Sequence, residues 1–284
     1  MKKILIAGAY SYIGTSLEKW LMQSEEEYEV QTLDMRDPSW RTADFSSFDS
    51  IFHVAAIVHQ NEKKIDSNLY DTVNRDLPIE VAKKAKEAGV GQFIFLSTMS
   101  VYGADEEVIT ARTVENPQTH YGRSKLEAEH GLRGLEMDSF RVAILRPPMV
   151  YGPHATGNYT RLSKFSKILP IFPHIKNQRS MIYIDNLSEF VRQAIDTRLG
   201  GLHFPQNEAY VTTSTLVKEI RQAHGKEILL ISFFNPVINC LRGIKPIQKL
   251  FGNLVYSQDL SQENFHYQVV SFRESVQKSE EYLG

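Results

Sequence analysis

At 284 residues, 42% of them hydrophobic, the chain can bury a large core, in one compound domain or two close-packed ones. Its 32 Lys and Arg against 34 Asp and Glu leave a net charge of −2, which argues against bulk electrostatic binding to nucleic acid or to an anionic membrane. Cys240 is the single cysteine, which excludes an internal disulfide or a zinc-thiolate cluster and fits a reducing cytoplasm.

The chain opens on KKILIA, an apolar run too short for a signal peptide and without a small-residue cleavage site, so it reads as a first strand. It runs into the loop GAYSYIG and the helical YIGTSLEKWLMQ. YEVQTLD and SIFHVAA follow as strands, NLYDTVNRDLPIEVAKKAKEAG as a long helix, and QFIFLSTMSVYG as another strand. YGRSKLEAEHGLRGLE is again helical and FRVAILRPP extended. Strands without apolar/polar alternation, separated by helices, predict a parallel sheet covered on both faces. This is an α/β, doubly wound, Rossmann-type fold over residues 1–150.

Residues 151–284 read as a smaller C-terminal α/β substrate cap. NQRSMIYIDNL predicts a strand and then a helix, and TTSTLVKEIRQAHG and SFRESVQKSEEYL two amphipathic helices. The most apolar segment there, ILLISFF from Ile228 to Phe234, is broken by Asn235 and Pro236. It reads as a buried strand or lid element rather than a membrane contact, and no stretch reaches the length of a span.

The loop from Gly8 through Ser11, Tyr12 and Ile13 to Gly14 lies between a strand and a helix, where glycines permit close backbone approach to a pyrophosphate. Ser11 stands where a third glycine would complete the pattern Gly-x-x-Gly-x-x-Gly. Taken alone, the loop is either a cofactor site or a glycine-rich turn. About twenty residues beyond Gly14, Asp34 ends the second strand, placed to accept from ribose hydroxyls and so to favour NAD. Arg36 nearby keeps NADP open. Tyr121 and Lys125 fall four apart, on one helix face. An ammonium beside a phenol favours the phenolate, and such a tyrosine can exchange the proton of an alcohol during hydride transfer. Tyr-x-x-x-Lys also occurs by accident on solvated helices. The hydroxyl cluster Ser97, Thr98 and Ser100 at a strand's carboxyl end, just upstream, favours the chemical reading. His53 and His59 flank an apolar run with no Cys or carboxylate at metal-ligand spacing, so no metal is expected.

Taken together, the Gly8 loop, Asp34, IFHVAAIVH, Asn74, FLSTMSVYG, YGRSK, LRPPMVYGP and RSMIYIDNL resemble the extended short-chain dehydrogenase/reductases of the NAD-dependent epimerase/dehydratase family, over nearly the whole length. The resemblance implies that Tyr121 is the acid/base, that Lys125 lowers its pKa and holds the nicotinamide ribose, and that Thr98 bonds the reacting sugar oxygen. It implies Asp44 and Phe45 beside adenine, Ala55 and Ala56 along the cofactor, Asn74 on the cofactor side and Pro148 near the nicotinamide. Arg179 corresponds to an arginine that binds the nucleotide diphosphate. One departure stands out: Pro148 and Met149 replace a common aromatic-Asn pair, leaving Asn158 to supply an amide. The implied activity is hydride movement at C4 of a UDP-hexose or UDP-N-acetylhexosamine, as a 4-epimerase or a 4-ketoreductase of a UDP-4-keto-6-deoxy sugar. A homodimer paired through the helices of Asn74 and Tyr121 is also implied. The competing readings are a non-catalytic dinucleotide sensor and a reductase of hydrophobic ketones.

Overall fold

The protein is described by a computed structural model over residues 1–58, 66–103, 106–233, 235–241 and 244–282; His59 lies outside the described residues. The chain divides into two compact units, the first made of Met1–Gly103, Val114–Pro147 and Ser188–Pro205.

That unit is built on six parallel strands: β1 (Lys2–Ala7), β2 (Tyr28–Leu33), β3 (Ser50–His53), β4 (Gln92–Leu96), β5 (Arg141–Leu145) and β6 (Gly201–His203). They lie in the order β6-β5-β4-β3-β1-β2. β3 and β4 are buried throughout, which is why they lack alternation. The helices are α1 (Tyr12–Leu21), α2 (Leu77–Glu87), α3 (His120–Arg133) and, from Ser188 on, α4 (Ile184–Asp196). One main cluster gathers Trp40, Phe45, Phe93, Phe95, Leu132 and Phe140 at 3% exposure or less. Polar residues at the amino ends of the strands are satisfied: Ser50 donates to Gln92 at 2.7 Å, and the Gln92 amide donates to the carbonyls of Ala194 and Leu199. The strand order reverses between β3 and β1, and the crevice at the carboxyl ends of such a pair is where doubly wound sheets bind ligands.

The second unit comprises Ala104–Thr113, Pro148–Leu187 and Gln206–Gly284. It holds three short parallel pairs: 149–151 with 181–183, 108–109 with 255–256, and 171–173 with 229–231. Its longer helices are Asn158–Ile168, Thr213–Ala223 and Phe272–Glu281. Two polar junctions tie it together. Tyr151 Oη meets Ser275 Oγ at 2.6 Å and accepts from Asn207, and the buried Glu280 carboxylate accepts from Ser163 at 2.7 Å and pairs with His224. The ILLISFF segment does form a strand, Leu229–Ile231, but none of its three residues is buried: Leu229 is 60% exposed and the other two half-buried, because the two-strand sheet has a core on one side only.

Among the described residues no helix is long and apolar enough to cross a membrane, and no group of three or more His, Cys, Asp or Glu is placed to hold a metal ion.

Candidate active site

At the end of β1 the chain makes a turn that only this loop sequence fits. Gly8 has φ of 138°, and a Cβ there would lie 2.7 Å from the backbone nitrogen of Ala55. The second strained position is Tyr10, with φ of 65°. Ser11 is extended, with φ of −73°, so the missing glycine costs nothing in backbone freedom. Its hydroxyl donates to Gly8 O at 2.7 Å and accepts from the Gly14 amide at 3.1 Å, capping α1. A Cβ at Gly14 would come within 2.5 Å of that hydroxyl and displace the cap. The result is a helix N-terminus capped by Ser11 behind a loop with glycine at its first position, which suits a pyrophosphate.

Around this loop the expected cofactor residues differ in their freedom to act. Asp34 accepts from the Arg36 guanidinium at 2.7 and 2.9 Å and from its backbone amide, which pushes its carboxyl down to about 2. An anion is therefore present at the end of β2 at any working pH, with a cation clasped to it. Asp44 is exposed and held by Ser46. Phe45 is 1% exposed, with its ring in the core. Ala55 and Ala56 follow β3, and the amides of Val54 and Ala55 both donate to Ala7 O at 3.0 Å. Asn74 is fully buried and already bonded, to both backbone groups of Ile57 and to Ser124 Oγ. It ties the loop after β3 to α3.

At the carboxyl end of β4, Thr98 caps a short 3-10 turn, Met99–Tyr102, by accepting from the Ser100 amide at 3.1 Å. The Tyr121 hydroxyl lies beside the Thr98 side chain, and burial, opposed only by that neighbour, pushes the phenol up to about 12. Lys125 is 1% exposed, donates to Leu96 O at 2.8 Å and lies 4.4 Å from the centroid of the Phe95 ring. Burial, opposed by Glu129, pushes its ammonium down to about 7. The structure thus brings Thr98, Tyr121 and Lys125 together. Thr98 is the neighbour that opposes the rise of Tyr121, and the Lys125 Nζ is engaged by Leu96 O. Gly122 explains the close approach, since a Cβ there would lie 2.6 Å from Ser100 O.

Beneath this trio is a network that sequence reasoning missed. Arg146 and Glu129, both 0% exposed, form a bidentate pair; Ser97 donates to Glu129, and Arg146 donates to Tyr102 at 2.6 Å and to Glu115 at 2.9 Å. The signal was available: Tyr121, Lys125 and Glu129 share one helix stripe, and a carboxylate on a buried stripe demands a buried cation.

In the second unit, Asn158 and Arg179 line one pocket of about 410 Å³, counted to its open mouth, together with Met149, Thr212, Thr213 and Leu250. Arg179 donates to Gly252 O at 3.3 Å, and among the described residues no carboxylate pairs with it; burial lowers its pKa. Met149 offers only an apolar wall there. Pro148 is buried at the start of this unit.

A Rossmann-type sheet carrying these features defines a dinucleotide-dependent enzyme class. Residues 4–205 match the model of the NAD dependent epimerase/dehydratase family, and the chain belongs to that family as an extended short-chain dehydrogenase/reductase that uses NAD. It is 32% identical over 252 residues to a UDP-glucose 4-epimerase of Vibrio cholerae, covering 79% of this chain and 76% of that one. To the N-acetyl-alpha-D-glucosaminyl-diphospho-ditrans,octacis-undecaprenol 4-epimerase of Escherichia coli O157:H7 it is 25% identical, over 79% and 73% of the two chains. Its fold matches a UDP-glucuronic acid 4-epimerase of Bacillus cereus solved with NAD, with a TM-score of 0.76, 20% identity and 99% and 98% coverage. A dTDP-4-dehydrorhamnose reductase of Clostridium acetobutylicum also matches in fold, with a TM-score of 0.76, 19% identity and 99% coverage of both chains.

Proposed function

We propose that the enzyme epimerises C4 of a UDP-linked hexose or N-acetylhexosamine. The observation that carries the reading is the placement of buried Tyr121 beside Thr98 and buried Lys125, at the carboxyl end of β4 in the sheet that bears the Gly8 loop. The names of the two curated relatives support it, since both are 4-epimerases of diphosphate-linked sugars. Bound NAD supplies a hydride acceptor for oxidation at C4, a hydride donor for the return, and a positive ring that favours the phenolate. The Gly8–Gly14 loop with Ser11, Tyr12 and Ile13 would hold its pyrophosphate, Asp34 its ribose, and Asp44, the Phe45 backbone, Ala55, Ala56 and Pro148 its remaining length.

The work of the side chains is then proton movement and positioning. Tyr121 takes the C4 hydroxyl proton as the alcohol becomes a ketone, and gives the same proton back when the opposite face is reduced. Thr98 steers the sugar oxygen. Lys125, when protonated, stabilises the phenolate. Asn74, already spent on Ile57 and Ser124, keeps the loop and α3 in register. In the second unit, Arg179 receives the diphosphate and Asn158 adds an amide beside it.

The test is proton NMR of purified protein with NAD and, separately, UDP-GlcNAc and UDP-glucose. Appearance of the C4 epimer supports the reading and names the sugar. An unchanged spectrum, with turnover of a UDP-4-keto-6-deoxy sugar and reduced cofactor, replaces it with the ketoreductase. Arg179→Ala is expected to raise KM for the UDP-sugar at least about tenfold, the loss of one charge-assisted contact. An unchanged KM would shift the reading toward a hydrophobic ketone.

A further inference from the structure

We propose that one face of the second unit, formed by the helix Asn158–Ile168 and the strand pair 171–173/229–231, is a docking surface for an anionic lipid bilayer. This goes beyond the proposed reaction and does not depend on it.

The helix is turned the wrong way for water. Tyr159, Ser163 and Ser166 face inward and are buried, whereas Arg161, Lys164, Phe165 and Ile168 are exposed at i, i+3, i+4 and i+7. Phe165 is 64% and Ile168 77% exposed. Scattered exposed apolar residues are ordinary, but these two adjoin further exposed apolar side chains and so form a patch. The chain passes from this helix directly into strand 171–173, where exposed Ile171 is register partner of exposed Leu229. The alternate residues, Phe172 and Leu230, pack inward with Ile175, Val217 and Phe251. A two-strand sheet with apolar residues on both faces has one face still to cover. Beyond the strand, Phe233 extends the patch at 84% exposure.

Charge selects the occupant. Residues 158–176 contain four Lys or Arg and no Asp or Glu, and Arg161, Lys164 and Lys176 among them are exposed, in a chain whose net charge is −2. The overall balance that argued against a membrane hides this segregation. Phe and Ile interleaved with Lys and Arg on one helix face is the composition of a segment lying in the headgroup region, where the cations meet anionic lipid and the apolar tips reach the acyl boundary. Such contact is peripheral and requires no spanning helix.

The experiment is flotation of the full chain with vesicles of phosphatidylglycerol and phosphatidylethanolamine, against vesicles of phosphatidylcholine alone. Binding is expected only to the anionic vesicles and is expected to weaken as salt rises. The doubly substituted Phe165→Ser, Ile168→Ser chain is expected to keep its melting temperature, both sites being exposed, and to bind at least about tenfold less. No flotation of the wild type, equal binding to both vesicle types, or undiminished binding of the variant would overturn the proposal. So would a variant that loses a self-associated mass in sedimentation equilibrium while floating as before, which would make the face a contact between copies. Because flotation needs no turnover, its outcome is separate from the sugar assay.

Discussion

His53 shows how a single buried residue can set a pH limit. It is 0% exposed at the end of β3, packed against Phe93 and Phe95, and burial with help from nearby Lys125 pushes its pKa down to about 3. The unfolded chain therefore takes up this proton near 6.5 while the folded chain waits until about 3, so stability is lost as pH falls through that window. His53→Leu should remove about 2 kcal/mol of the stability lost between pH 7.5 and 5, the linkage integral for such a shift, measured as the change in urea midpoint at the two pH values. Tyr121 presents the opposite case, a phenol raised to about 12 that the chemistry needs ionised. Tyr121→Phe is expected to lower kcat by about 10²–10⁴, with the substrate KM nearly unchanged. A fall confined to KM would mark Tyr121 as a binding group instead.

At the scale of elements, α3 carries the site because of what its buried stripe packs against. Gly122 lets it sit on the Ser100 carbonyl, and Gly131 meets Ile79 of α2, whose Cδ1 would lie 2.4 Å from any Cβ there. Below Lys125, the Glu129–Arg146 pair is desolvated on both sides, so its members depend on each other more than on any net gain. Glu129→Ala, which strands the Arg146 charge, should cost about 3–5 kcal/mol in urea unfolding. It should also lower the pKa of Lys125 further, since Glu129 is what opposes burial there, visible as an alkaline narrowing of the pH–rate profile. A Glu129→Ala chain as stable as wild type, with the same profile, would show that the network does neither. The strands needed no such devices. Their unbroken apolar runs made the parallel sheet legible, and only the exposed side of Leu229–Ile231 defied the reading, because burial depends on what lies across from a strand.

For the whole molecule, binding of the cofactor should register as stability. At NAD concentrations a hundredfold above Kd, the folded state gains about 2.7 kcal/mol, so the melting temperature should rise with NAD and saturate logarithmically. Gly8→Ala, which drives a Cβ into the Ala55 amide, should lose that response. A melting temperature indifferent to NAD would contradict the family's cofactor at this loop.

What the sequence by itself determined is the part written in local pattern and spacing: the doubly wound sheet, the glycine loop before α1, Asp34 at the end of β2, and the Tyr121/Lys125 stripe. Each follows from residues close in the chain, where periodicity and turn chemistry act. Tertiary structure alone decided that Ser11 caps α1 instead of straining the loop, that Asn74 is spent on Ile57 and Ser124, and that Arg146 answers Glu129. It also placed Arg179 with Asn158 in one pocket and left Phe165 and Leu229 facing outward. Apart from the local Ser11 cap, these are pairings between residues 17 or more positions apart, and burial, on which their charges and contacts depend, does not exist until the chain has folded.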